Sequence, residues 1–196
     1  MQPAILLLEF ESIAVGIRAG DAMAKRAPLK TLHTGTIHPG RYLVLAGGEV
    51  ADLEEAREAA RDTGLESLRD EIFLPEVAPP VVRALVGERA RRHDHALGIF
   101  ETSSVPAVIR GADRAVKGSL VDVLEICMAD GLGGKGYALF GGEVADVEEA
   151  IGLAEESLMR PDLLVAGVVI PQLHDEMAEN LVAHGEFGVR VGRKPA

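Results

Sequence analysis

The sequence has one cysteine, Cys127, no tryptophan and only 4% aromatic residues. A lone thiol excludes an internal disulfide framework, and no charged, apolar, small-residue export signal opens the chain, so a reducing cytoplasm is the expected setting. Basic residues are scarce as well: 20 Lys and Arg stand against 31 Asp and Glu, a formal charge of −11. Nucleic-acid binding needs clustered cations that displace counterions from phosphates, so that class of partner is excluded. Long apolar runs are also missing. Stretches such as residues 4–8 and 163–170 fall far short of the roughly 20 residues that span a bilayer, so no membrane is expected and these runs read as buried strands. No Ser/His/Asp or Cys/His arrangement can be assembled from spacing. The acidic pairs Glu54-Glu55 and Glu148-Glu149 read as solvated helix starts favoured by the helix dipole. No catalytic residue is assigned, and no enzyme is expected.

What is present is an internal repeat, and self-similarity at a fixed period sets architecture before any motif is weighed. The segment from Leu8-Glu9-Phe10-Glu11-Ser12 through Gly20-Asp21-Ala22-Met23-Ala24-Lys25 aligns with Phe100-Glu101-Thr102-Ser103-Ser104 through Ala112-Asp113-Arg114-Ala115-Val116-Lys117. Further on, Gly47-Gly48-Glu49-Val50-Ala51-Asp52 returns as Gly141-Gly142-Glu143-Val144-Ala145-Asp146, and Phe73-Leu74-Pro75 matches Val169-Ile170-Pro171. The spacing therefore predicts two units, residues 1–88 and 95–185, then a tail at 186–196. The polar stretch 87–95 between them reads as an exposed linker that follows a short helical segment after Pro79-Pro80.

Each unit predicts a strand, a Ser-led helix, two strands, a second helix and a last strand. Ser12, and Ser103 or Ser104, can cap orphan amides, while Val105, Val108, Ile109, Ala112 and Val116 recur at helical spacing and predict one buried face. Asp52 and Asp146 stand three residues before Glu55 and Glu149, an acidic relative of the capping box. The order βαββαβ gives an α/β (α+β), ferredoxin-like unit, twice over.

These repeated segments resemble the tandem-domain trimeric shell proteins of bacterial microcompartments. The resemblance implies a homotrimer with six-fold pseudosymmetry that packs with other shell proteins, in a cytoplasmic shell, with a central pore for small metabolites. It implies that Lys25 and Lys117 lie at the tile edge. The segment Ile170-Pro171-Gln172-Leu173-His174 takes the place of a second edge element, with Gln172 and His174 as contacts, but lacks the arginine and second proline of the family's pattern. The unpermuted order favours the group of propanediol-utilisation trimers that hold an iron–sulfur cluster at the axis through one cysteine per chain. His38 stands at that position here, so the cluster is not carried over and no cofactor is required.

The pore is expected to be lined by Ile37, His38, Pro39 and Gly40, alternating with Gly131, Leu132, Gly133 and Gly134. Three readings of His38 stay open: a polar turn residue at the opening, a metal ligand joined by its two copies around the axis to carry electrons, or a cation that draws in anionic metabolites. The loop at 131–136 lacks the Gly-x-x-x-x-Gly-Lys-Ser/Thr spacing of a phosphate loop. His93-Asp94-His95 is a weak metal candidate, and Cys127, inside an apolar run, reads as a small buried residue. A tandem ferredoxin-like sensor or enzyme unrelated to shells is the rival from another class.

Overall fold

The computed structural model describes residues 4–88, 96–129 and 131–183. The first unit runs β1 (Ala4–Phe10), α1 (Ile13–Arg26), β2 (Thr31–Ile37), β3 (Arg41–Gly48), α2 (Val50–Gly64), β4 (Leu68–Leu74) and α3 (Pro79–Leu85). The second repeats it as β5 (Ala96–Thr102), α4 (Val105–Gly118), β6 (Asp122–Met128), β7 (Gly136–Gly142), α5 (Val144–Glu156), β8 (Leu164–Ile170) and α6 (Asp175–Ala183). Each unit forms a four-stranded antiparallel sheet, in the orders β2-β3-β1-β4 and β6-β7-β5-β8. The expected βαββαβ unit is therefore observed twice.

β1 is central because its side chains are apolar on both faces. With a period of two, Leu6, Leu8 and Phe10 point to one face, where they pack with Met23, Leu53 and Ala56 of α1 and α2. Ile5 and Leu7 point to the other, towards Val77, Val81 and Ala84 at and before α3. Each such leucine contributes about 1.5–3 kcal/mol on burial. The serine caps form as expected: Ser12 Oγ accepts from Val15 N–H at 3.4 Å and Ser104 Oγ from Ala107 N–H at 3.1 Å. The capping-box reading is corrected. α2 and α5 start after Glu49 and Glu143, which make no side-chain cap, and Asp52 and Asp146 act only as acidic residues in the first turn.

Gly111 shows how tightly the second core is filled. A Cβ built there falls 2.2 Å from Cε1 of the fully buried Phe100. Gly111→Ala would gain about 0.5–1 kcal/mol of helix preference but must displace a ring with nowhere to swing, at about 1–3 kcal/mol. Overpacking wins. The expected result in a circular dichroism melt is a Tm lowered by roughly 2–8 °C.

Candidate assembly and pore site

The two hairpin loops picked out in the sequence lie side by side. In the β2–β3 turn, Gly40 N–H donates to the Ile37 carbonyl at 2.9 Å, leaving His38, Pro39 and Gly40 exposed. In the β6–β7 turn, Gly131, Gly133 and Gly134 have φ of +73°, +64° and +85°, a backbone that L side chains avoid. Gly134 is constrained twice over, because a Cβ there would sit 3.0 Å from Pro39 Cδ and 3.1 Å from the His38 carbonyl oxygen. Gly131 and Gly133 are exposed and Leu132 is half-buried. Ile37 differs from its neighbours: its side chain is buried in the core beneath the loop. Lys135 is engaged by Glu101 at 2.8 Å, so this glycine loop has no free lysine to offer a phosphate.

Sequence reasoning missed the residue that anchors this region, Glu9. The units meet where α3 runs alongside edge strand β6 and α4 lies against edge strand β4. Glu9, on β1, is fully buried there. Its Oε2 accepts from the Val105 N–H at the start of α4 (2.9 Å) and its Oε1 from Arg41 Nη1 (3.0 Å). Arg69 Nε lies 3.4 Å from Oε1, close enough for attraction, although it donates no hydrogen bond there. Burial pushes the Glu9 carboxyl above its ordinary pKa, and the Val105 N–H, Arg41 and Arg69 oppose that without cancelling it. Around this centre Ser104 Oγ donates to Asp70, Arg110 to the Glu71 carbonyl, and Ala78 N–H to Asp113 Oδ1 at 2.8 Å.

The repeat lets each half serve as a control for the other. Counted from the capping serines, Ile13 and Ile17 of α1 correspond to Val105 and Ile109 of α4. The α4 pair is 0% exposed beneath the first unit, while Ile13 is 37% and Ile17 53% exposed. Asp113 is buried and bonded across the joint, whereas its counterpart Asp21 is exposed and meets only Lys25 of its own helix. The strand edges differ in the same sense. β4 lies against α4, but its counterpart β8 leaves Val165 and Val168 each 42% exposed. β6 is flanked by α3, and its counterpart β2 presents Thr31, His33, Thr34 and Thr36 to solvent. Each of these four surfaces used inside the chain has an exposed equivalent in the other unit.

The remaining candidates are scattered. Lys25 is exposed, 2.6 Å from Asp21. Lys117 bonds to Asp113 at 2.6 Å and to the Glu76 carbonyl, which ties it to the first unit. Gln172 and His174 are exposed, and His174 Nδ1 accepts from the Glu176 N–H at the start of α6 (3.3 Å). Cys127 lies within β6, not in a loop, and is half-buried, not fully enclosed; its Sγ is 3.9 Å from Glu125 Oε1. Among the described residues no group of three or more His, Cys, Asp or Glu could hold a metal. The donor set does not suit an iron–sulfur cluster, because the loop offers an imidazole and the lone thiol sits in a strand. His93-Asp94-His95 falls outside the described residues. No helix among them is long and apolar enough to cross a membrane.

Comparison with known proteins agrees with this geometry. The BMC domain model matches the chain twice, at residues 4–77 and 96–173. The bacterial microcompartment shell protein PduT of Citrobacter freundii is 41% identical over 182 residues, spanning 93% of this chain and 99% of that one. The crystal structure of a microcompartments protein from Desulfitobacterium hafniense superposes with a TM-score of 0.78 at 36% identity, over 91% of this chain and 99% of the other. A fused permuted hexameric shell protein of the RMM microcompartment shares the fold, with a TM-score of 0.59 at 18% identity and coverage of 82% and 83%. Two matched domains in tandem, together with a relative similar along nearly its whole length, place the chain in the BMC-domain family, as a structural shell protein of a bacterial microcompartment.

Proposed function

We propose that three chains close head to tail into a tile of the shell, built from units 1–88 and 95–185, with the paired hairpin loops around a central pore. The observation that carries this reading is the exposure of Ile13 and Ile17 where Val105 and Ile109 are buried. A head-to-tail contact leaves a free head and tail at every step, and only a closed ring satisfies both. In such a ring, α1 of one chain covers β8 of the next as α4 covers β4 within the chain. Asp21 and Arg18 then take up the backbone contacts that Asp113 and Arg110 make inside it. Lys25, at the place of Lys117, reaches the carbonyl of Gln172 in the neighbour.

Three His38 loops and three glycine loops alternate around the opening, whose width and lining charge select the solutes that pass. The role is structural and permissive, not catalytic, and the metal reading of His38 gains no support from the chain's own geometry. Native mass spectrometry of protein kept from chelators and nickel resin is the test. A mass of three chains supports the reading, and a monomer at micromolar concentration overturns it. His38→Ala is expected to keep the trimeric mass, since the side chain is exposed and takes no part in the joint; any metal that left with it would reopen the metal reading.

A further inference from the structure

The outer face of the first sheet carries a cleft of about 510 Å³ that the proposed function does not use. Ile5 and Leu45 form its floor, Val82 and Leu85 of α3 one wall, and Thr31 and His33 of β2 the opposite rim. The same face of the second sheet is closed. There Leu97, Leu124 and Leu139 lie beneath Leu173, Ala178 and Leu181 of the α6 region, and α3 runs along the edge strand β6.

The repeat says what belongs in the cleft. Counting from the matched Pro75 and Pro171, Val82 and Leu85 of α3 correspond to Ala178 and Leu181 of α6, the residues each helix lays on its own sheet. Val81 then corresponds to Met177. Val81 is 0% exposed, whereas Met177 is 52% exposed on a helix that otherwise shows solvent Glu176, Glu179 and Asn180. A large apolar side chain facing water, on a chain that elsewhere leaves an apolar cleft open, marks a contact made by another molecule.

We infer that this cleft is the seat of α6 from a second copy of the chain, with Met177 set against α3 and β2. The inference rests on the ring reading and names the second element that each subunit hands to the next. Its experiment separates the two. In a Cys127→Ala background, His33→Cys is combined with Met177→Cys and treated with a short bismaleimide, while native mass spectrometry reports the assembly. Covalent dimers and trimers, absent from both single-cysteine controls, are the expected result. A trimeric native mass without inter-chain linkage overturns the α6 contact and leaves the ring standing; a monomeric wild type overturns both. If the paired variant does not fold, Met177→Glu decides: subunit affinity should fall at least tenfold as the apolar contact is lost, and an unchanged affinity rejects the inference.

Discussion

Ile17→Asp is expected to turn the proposed trimer into a folded monomer. Within a single chain Ile17 is half exposed, so an aspartate there costs folding little. At the proposed joint it takes the place that Ile109 occupies in complete burial, beside Val165 and Val168 of the neighbouring strand edge. A carboxylate buried there without a cation has no counterpart to offset its desolvation, at ~3–5 kcal/mol per joint. That weakens each contact by roughly 10²–10⁴-fold, beyond what micromolar protein can overcome. Ile17→Val should keep the trimer. Ile109→Asp, in contrast, should unfold the chain, because the same joint is then internal. Light scattering and circular dichroism on the three variants separate the outcomes, and a trimeric Ile17→Asp protein would show that the subunits meet elsewhere.

The second large effect concerns Glu9. Glu9→Ala leaves Arg41 and Arg69, both largely buried, facing an emptied carboxylate site and orphans the Val105 N–H. Breaking a buried pair from one side typically costs ~3–5 kcal/mol, a large part of the stability of an ordinary domain. Glu9→Gln keeps the acceptor for Val105 and should lose less. The two variants also separate charge from shape through pH. The folded chain holds the Glu9 proton more tightly than the unfolded one, so this group's contribution is fully present below the ordinary value of 4.5 and is lost as pH rises through its raised native value. Glu11 runs the other way. Slight burial favours its neutral form, but Arg69 and Arg41 outweigh that and hold it low, so its contribution is lost as pH falls through the lowered value. Denaturant melts should therefore show wild type gaining on Glu9→Gln as pH falls towards 4.5. A constant gap between them would mean that Glu9 titrates alike in the folded and unfolded chain.

The architecture was legible because the repeat spells it out twice. The strand, the serine-capped helix and the Gly-Gly-Glu-Val-Ala-Asp turn recur in order, and a ferredoxin-like unit follows from that order. Glu9 was not legible. Read locally it is one polar residue in an apolar strand, and its decisive partner, the Val105 N–H, lies 96 positions away. Helix α6 escaped as well, since Met177, Ala178 and Leu181 are too few to set a period, and its capping contact comes from an imidazole. Position alone groups Ile37 with the loop, but strand alternation turns its side chain inward. The apolar run around Cys127 predicts a buried thiol, but β6 is an edge strand and its outer side stays partly open.

The unequal copies of the joint bear on how such a chain can change over time. In a ring of six identical units every substitution appears at all six contacts, so each residue must be compatible with its own copies. Joining two units removes that restriction. Arg69 supports Glu9 at the internal contact, while Val165 holds the corresponding position in the second unit, where Glu101 pairs with Lys135. The imidazole of His38 can likewise be altered without touching the glycine loop that lies against it. In the proposed ring, duplication thus gives the chain separately addressable positions: stability can be adjusted at the internal contact, exchange between subunits at the external one, and the lining of the opening in two independent sets.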